Sequence, residues 1–242
     1  GPVRLPHHYL HAPLVIAADG VNSPTARHLF GTAFDRDTIG FALEVEAPVT
    51  DRPLRIDFGA AEWGYGWQFP KVNGTTIGLG GLLRRNPDMK AALSRYLTTL
   101  GISEELPVKG QFLPFGAFRP IPGRGRVLLA GDAAGLVDPI TGEGIGHALQ
   151  SGALAAQAAA TALENGYPDR ALPLYRDSLK PTHTGLGQAR LLRHLIFQPA
   201  LRSAFIHSFR NSKTLKDAYL RLLAGDLEYP DLMRLAAQRM PA

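Results

Sequence analysis

The sequence contains no cysteine. That excludes disulfides, thiolate metal sites and cysteine nucleophiles within these residues, and it fits a reducing compartment. Charge is sparse as well, at 19% of residues against 45% hydrophobic, so the 242 residues have material for a substantial core. No run of about eighteen apolar residues occurs, which excludes a bilayer-spanning helix. No secretory signal, internal repeat or low-complexity tract is visible. The expected location is the cytoplasm, with the periphery of a membrane as an extension of it. Gly1-Pro2 resembles a tag-cleavage remnant and carries no argument.

The net charge of +5 is unevenly spread. From Thr184 to Ala242 there are nine Lys/Arg and four Asp/Glu, so the last quarter holds the whole excess. Such a bias suits anionic lipid headgroups or a diphosphate. A solvated basic helical surface is the plainer explanation. Neither a nucleic-acid partner nor a metal site is expected.

Residues 13–19 form a short apolar run ending in Asp19-Gly20, which predicts a buried parallel-type strand and a turn. Residues 39–83 alternate, with glycines and prolines between short runs, as an antiparallel sheet does. Residues 88–100 predict a helix, with Asn86-Pro87 ahead of it and Gly101 after it. A second buried strand is expected over 126–130, then a helix over 143–164 closed by Asn165-Gly166. The alanine-rich stretch inside that helix predicts tight packing. The remainder reads as helical, interrupted by Pro181, Pro199 and Pro230.

Two buried strands, each ending in an acidic turn, therefore flank a region of different character. The expected class is α/β (α+β), a partial Rossmann-like domain interrupted by an antiparallel sheet domain. The boundaries are 1–37 with 121–166 for the first, 38–120 for the second, and 167–242 for a C-terminal helical region.

The stretch from Arg126 to Gly146 carries the most chemistry. Its strand delivers Gly131 and Asp132 to the carboxyl edge of a parallel sheet, where such folds bind ligands. Gly142, Gly144 and the other glycines there permit close backbone approach to a flat or phosphorylated ligand. The following helix aims its positive end at the same place. This suits a redox cofactor that becomes anionic, as a reduced flavin does, with Asp132 accepting hydrogen bonds from its hydroxyls.

Gly131-Asp-Ala-Ala-Gly135, then Pro139, then Thr141-Gly-Glu-Gly-Ile145, resembles the second FAD motif of the geranylgeranyl reductase family, para-hydroxybenzoate hydroxylase-like flavoproteins. The resemblance implies FAD as cofactor, with Asp132 near the ribityl or pyrophosphate region and Gly142, Gly144 and Ile145 along the flavin ring. Ala18-Asp-Gly-Val-Asn-Ser-Pro-Thr-Ala-Arg27 resembles the same superfamily's Asp-Gly motif. There Asp19 and Gly20 brace the fold, Arg27 approaches a phosphate, Ser23 caps a helix and Pro24 opens it.

Gly64-Tyr-Gly-Trp-Gln-Phe-Pro-Lys71 places Tyr65, Trp67 and Phe69 two residues apart, so on a strand all three rings face one side. Core packing explains most such stripes, but Gly64 and Gly66 around Tyr65 are unusual in a packed strand. The string resembles the family's Tyr-x-Trp-x-Phe-Pro motif, which implies that Tyr65, Trp67, Phe69 and Pro70 line a prenyl cavity. Trp63 and Arg119-Pro-Ile-Pro122 have no assignment in that pattern.

The family's opening Gly-x-Gly-x-x-Gly turn is absent, and Gly142–His147 and Gly185–Arg190 fail at the last position. The resemblance therefore implies that roughly the first hundred residues of the family are not in this chain. This polypeptide alone is then expected to bind FAD poorly. The implied reaction is reduction of isolated C=C bonds in an isoprenoid group, by hydride from reduced flavin. No convincing proton donor is visible, Tyr65 being the one candidate, and catalytic residues are unassigned. No nicotinamide site is recognisable, so NADPH and a ferredoxin-type electron donor both stay open. The alternatives are a flavin monooxygenase or halogenase, which share the fold, and a truncated, non-catalytic flavoprotein module.

Overall fold

The computed structural model describes residues 3–4, 9–102, 105–115 and 117–232. Gly1-Pro2, and the basic residues Arg234 and Arg239, lie outside them. Strands β1 (Val3–Arg4) and β2 (Tyr9–Leu10) form an antiparallel ribbon.

β3 (Val15–Ala17) runs parallel to β10 (Val127–Leu129), with Val15 opposite Val127 and Ala17 opposite Leu129. β9 (Gly123–Arg124) pairs antiparallel on the other side of β10. Leu128 and Leu129 are fully buried, as expected of a central strand. Ile16 is exposed instead, because β3 is the edge of this three-stranded sheet. α1 (Pro24–Phe30) follows β3, and the Ser23 hydroxyl accepts from the Ala26 N–H at 2.8 Å, with Pro24 opening the helix.

Between α1 and β9 the chain builds a five-stranded antiparallel sheet. Its strands are β4 (Gly40–Ala47), β5 (Arg55–Phe58), β6 (Tyr65–Lys71), β7 (Gly74–Leu82) and β8 (Val108–Leu113), in the spatial order β5-β6-β7-β4-β8. Period-two alternation splits its faces. Leu43, Val45, Ile77 and Leu79 pack with Leu93 and Tyr96 of α2 (Met89–Thr99), whose first turn Asp88 caps at Ala91 N. Ala42, Glu44, Tyr65, Trp67 and Gly80 line a cavity over the opposite face.

α3 (Ile145–Glu164) lies on the three-stranded sheet through Ala155, Ala158, Ala159 and Ala162, small side chains that allow close approach. Its end is closed by Asn165 and a left-handed Gly166, φ 73°. The same core continues into α4 (Ala171–Ser178): Tyr175 is fully buried and donates to the Leu129 carbonyl at 2.9 Å. Burial pushes its hydroxyl up to about 12.

The C-terminal helices α5 (Lys180–Phe197), α6 (Pro199–Asn211) and α7 (Lys213–Leu223) dock on the larger sheet around Phe58 and Trp63. Phe58, at the end of β5, contacts Phe205, Phe209 and Tyr219 at ring separations of 5.4–5.5 Å. Pro181 and Pro199 sit in the first turns of α5 and α6, where a missing N–H is tolerated. Trp63, held at φ 53°, stands edge-on to His194 at 5.1 Å and locks sheet to helix. Arg119 stacks over Phe30 at 4.4 Å and donates to the Thr32 and Ala33 carbonyls, fixing the exit of α1. Among the described residues, no helix is long and apolar enough to cross a membrane.

Candidate active site

Because β3 and β10 are parallel neighbours, the turns that follow them leave the same sheet edge. At the first turn, Asp19 accepts from the Ser23 hydroxyl at 2.5 Å and the Thr25 N–H at 3.1 Å. Burial pulls its pKa upward, but these bonds outweigh that and the net direction is down. Both oxygens are engaged at the start of α1, so Asp19 braces the turn, with Gly20 at φ 75° beside it. Arg27 stands exposed on α1.

At the second turn, Gly131 (φ 57°) donates its N–H to the buried Ser151 hydroxyl of α3 at 2.9 Å. Asp132 is half-buried, and burial raises its pKa. Among the described residues nothing donates a hydrogen bond to its carboxylate. The backbone of Gly144 passes so close that a Cβ there would lie 3.4 Å from Asp132 Oδ1.

The loop between them is organised by Asp138, which had no role in the sequence reading. One carboxylate oxygen accepts from Ile140 N at 2.7 Å and Thr141 N at 2.8 Å, while its own N–H donates to the Glu143 carbonyl. Pro139 is buried inside this turn, and Gly142 takes φ 74° on its far side. The sequence held a signal for the turn, since Asp138 ahead of Pro139 is a pairing that favours an Asx turn. Helix α3 starts at Ile145 and not at Glu143, because the Glu143 carboxylate folds back to accept from Gly146 N at 2.6 Å. Among the described residues, the Ile145 and His147 N–H groups at the start of α3 are left without acceptors.

The aromatic strand meets this loop directly. The Tyr65 hydroxyl donates to the Thr141 carbonyl. Burial raises its pKa, with the charges of Asp138 and Glu143 adding to the effect, so the proton candidate of the sequence reading is held as a tether. Trp67 lies edge-on to Tyr65 at 5.9 Å and stacks with Phe69 at 6.3 Å. The indole has room because Gly78 of β7 is directly opposite it; a Cβ there would come within 2.5 Å of the ring. Gly66, on the other face, makes room for Tyr96 of α2, and Gly64 lets β7 approach, so both glycines have a packing reason.

The aromatic strand and the Thr141–Ile145 loop bound a cavity of about 670 Å³. Tyr65, Trp67 and Phe69 form one flank, and Thr141, Gly142 and Ile145 close the end beside Tyr65. Glu44, Lys109 and Gln111 form the flank across the glycine floor, none of them singled out by sequence. Pro70 alternates to the other face, is exposed, and stands apart from the lining.

No protein-family model matches the chain. It is 32% identical over 196 residues to digeranylgeranylglycerophospholipid reductase of Thermoplasma acidophilum, covering 71% of this chain and 47% of that one. It is 36% identical over 163 residues to menaquinone reductase of Mycobacterium tuberculosis, covering 59% and 40%. A solved geranylgeranyl bacteriochlorophyll reductase-like protein of Thermoplasma acidophilum superposes with a TM-score of 0.64 at 24% identity, covering 80% of this chain and 55% of that one. Solved flavin-dependent halogenases share the fold at 18–20% identity. The fold is therefore that of the FAD-binding flavoproteins. Within that class the chain belongs with the geranylgeranyl reductases, and it spans less than half the length of the curated relatives named here.

Proposed function

We propose that this chain supplies the flavin-ring side and the isoprenoid wall of an FAD-dependent reductase of prenyl C=C bonds. One observation carries the reading: the aromatic strand and the Gly142–Ile145 loop close a single cavity. An isoprenoid chain has no charge along its length, so Tyr65, Trp67 and Phe69 hold it by area and shape.

The residues at the sheet edge fit a flavin. Asp132 is a half-buried carboxylate lacking a donor, as expected of a group that accepts from ligand hydroxyls. Gly142, at φ 74° with only Leu113 near where a Cβ would stand, leaves room for a flat ring, and the start of α3 favours negative charge there. When bound, reduced flavin supplies the hydride. The chain's own contribution is alignment. The Tyr65–Thr141 bond fixes the aromatic flank against the loop, and the Asp138 turn holds the loop in shape. An unactivated alkene offers no oxyanion to stabilise, so placement accounts for most of what these residues do.

The test is anaerobic turnover of the holoenzyme with reduced flavin and a prenylated compound. A gain of about two mass units per reduced bond is the expected result. Oxygen-dependent turnover to a hydroxylated or halogenated product, without alkene loss, would overturn it in favour of the monooxygenase–halogenase chemistry that shares this fold.

The reading extends to a membrane surface, reached through α5–α7. It is supported by eight Lys/Arg against one Asp over residues 180–223, and by exposed Leu195, Leu201, Leu215 and Leu220 among them.

A further inference from the structure

The flank of the cavity that faces the aromatic rings carries charges in a definite arrangement. Glu44 on β4 and Lys109 on β8 are directly opposite each other in register, with Gln111 one step along β8 beside Ala42. All three line the cavity. Lys71 continues the ring-bearing face of β6, but its ammonium is bound to Glu46 at 2.7 Å. Glu46 in turn accepts from the Thr76 hydroxyl, and the Lys71 hydrogen bond holds its pKa below the usual carboxylate value.

Among the described residues, each lysine lining this cavity has a carboxylate near it: Lys71 is in contact with Glu46, and Lys109 lies across the strand pair from Glu44. A diphosphate head carries several negative charges and needs surplus cations around it. Here it would meet a balanced wall and the half-exposed Glu44 carboxylate. Glu44, Lys109 and Gln111 instead offer acceptors and donors side by side, a pattern that matches carbonyl or hydroxyl groups. The three rings opposite extend for about 13 Å along β6, enough to hold several prenyl units beside such a head.

We infer that the substrate of this cavity bears its isoprenoid chain on an uncharged polar head, of the alcohol, ether or quinone kind, and not on a diphosphate. The inference rests on the isoprenoid reading above.

The test compares geranylgeraniol with geranylgeranyl diphosphate, which share a chain and differ in the head. Equilibrium dialysis against the full chain is run below the concentration at which either ligand self-associates. The alcohol is expected to bind, and diphosphate affinity to stay flat or rise as salt is added, because the described residues lining the cavity present it with no surplus of cations. Glu44→Gln is expected to tighten diphosphate binding about tenfold. Diphosphate bound more tightly than the alcohol by the unmodified chain, with affinity falling as salt rises, would overturn the inference. So would a Glu44→Gln protein, folded by circular dichroism, in which diphosphate affinity is unchanged. Binding of neither ligand would sink the isoprenoid reading itself, which separates the two failures.

Discussion

At Asp132 the chain tolerates an unfavourable placement, a carboxylate half removed from water with no described residue donating to it. Burial raises its pKa above the ordinary 3.8, so the folded protein binds this proton more tightly than the unfolded chain. Stability is therefore highest below 3.8 with respect to this group, and falls as pH rises through the folded-state value. Asp132→Asn is expected to remove that loss, raising the urea midpoint at pH 7 relative to pH 4 while weakening flavin binding. Urea titrations at both pH values check the first part, and flavin fluorescence titration checks the second. Tyr65→Phe keeps the ring but leaves the Thr141 carbonyl without its donor, at an expected loss of about 1–3 kcal/mol in chemical denaturation. Asp132 and the aromatic ring positions were legible because type and spacing mark them. Asp138 was passed over: Asp ahead of Pro signals a turn, but that its carboxylate takes both backbone N–H groups shows only in the folded loop.

Among elements, the strand β6 shows how far a local pattern reaches. Alternation alone put three rings on one side, and β6 carries them that way. Helices α1 and α2, and the Gly166 end of α3, were likewise readable from caps and breakers. What no local pattern contains is the partner strand. The clearance for Trp67 comes from Gly78, and the charged flank from β4 and β8, both set by pairing between distant segments. Gly78→Val would drive a side chain into the indole and the Leu43 carbonyl. A loss of about 1–3 kcal/mol is expected, because the backbone side of that contact has nowhere to move. Thermal unfolding checks it, with near-ultraviolet dichroism compared between this variant in the full chain and in a Trp63→Phe background that leaves Trp67 as the one tryptophan; an unchanged midpoint and signal would mean that the floor yields.

For the whole molecule, the charge asymmetry was legible as a count, and its organisation was not. The basic residues of α5–α7 are carried on helices anchored by Phe58 and Trp63, two aromatics whose sequence positions gave no sign of that role. Lys213, Lys216 and Arg221 are exposed on α7 together with Leu215 and Leu220. Binding to vesicles rich in phosphatidylglycerol is expected to weaken about tenfold or more in Lys213→Glu/Lys216→Glu, at roughly 1 kcal/mol for each cation near the surface. It is also expected to fall as salt rises. Co-sedimentation checks both, and salt-independent binding would count against the proposed surface.

The pairing of β3 with β10 also dictates an order of events in time. Pairing Val15 with Val127 closes a long loop, which costs more chain entropy than closing a tight turn and disfavours early pairing. The β6–β7 hairpin, whose register begins at Lys71 and Gly74, forms from near neighbours. Refolding should thus show the larger sheet protected from hydrogen exchange before Leu128 and Leu129 are. The edge that carries both acidic turns would be the last part of the protein to exist.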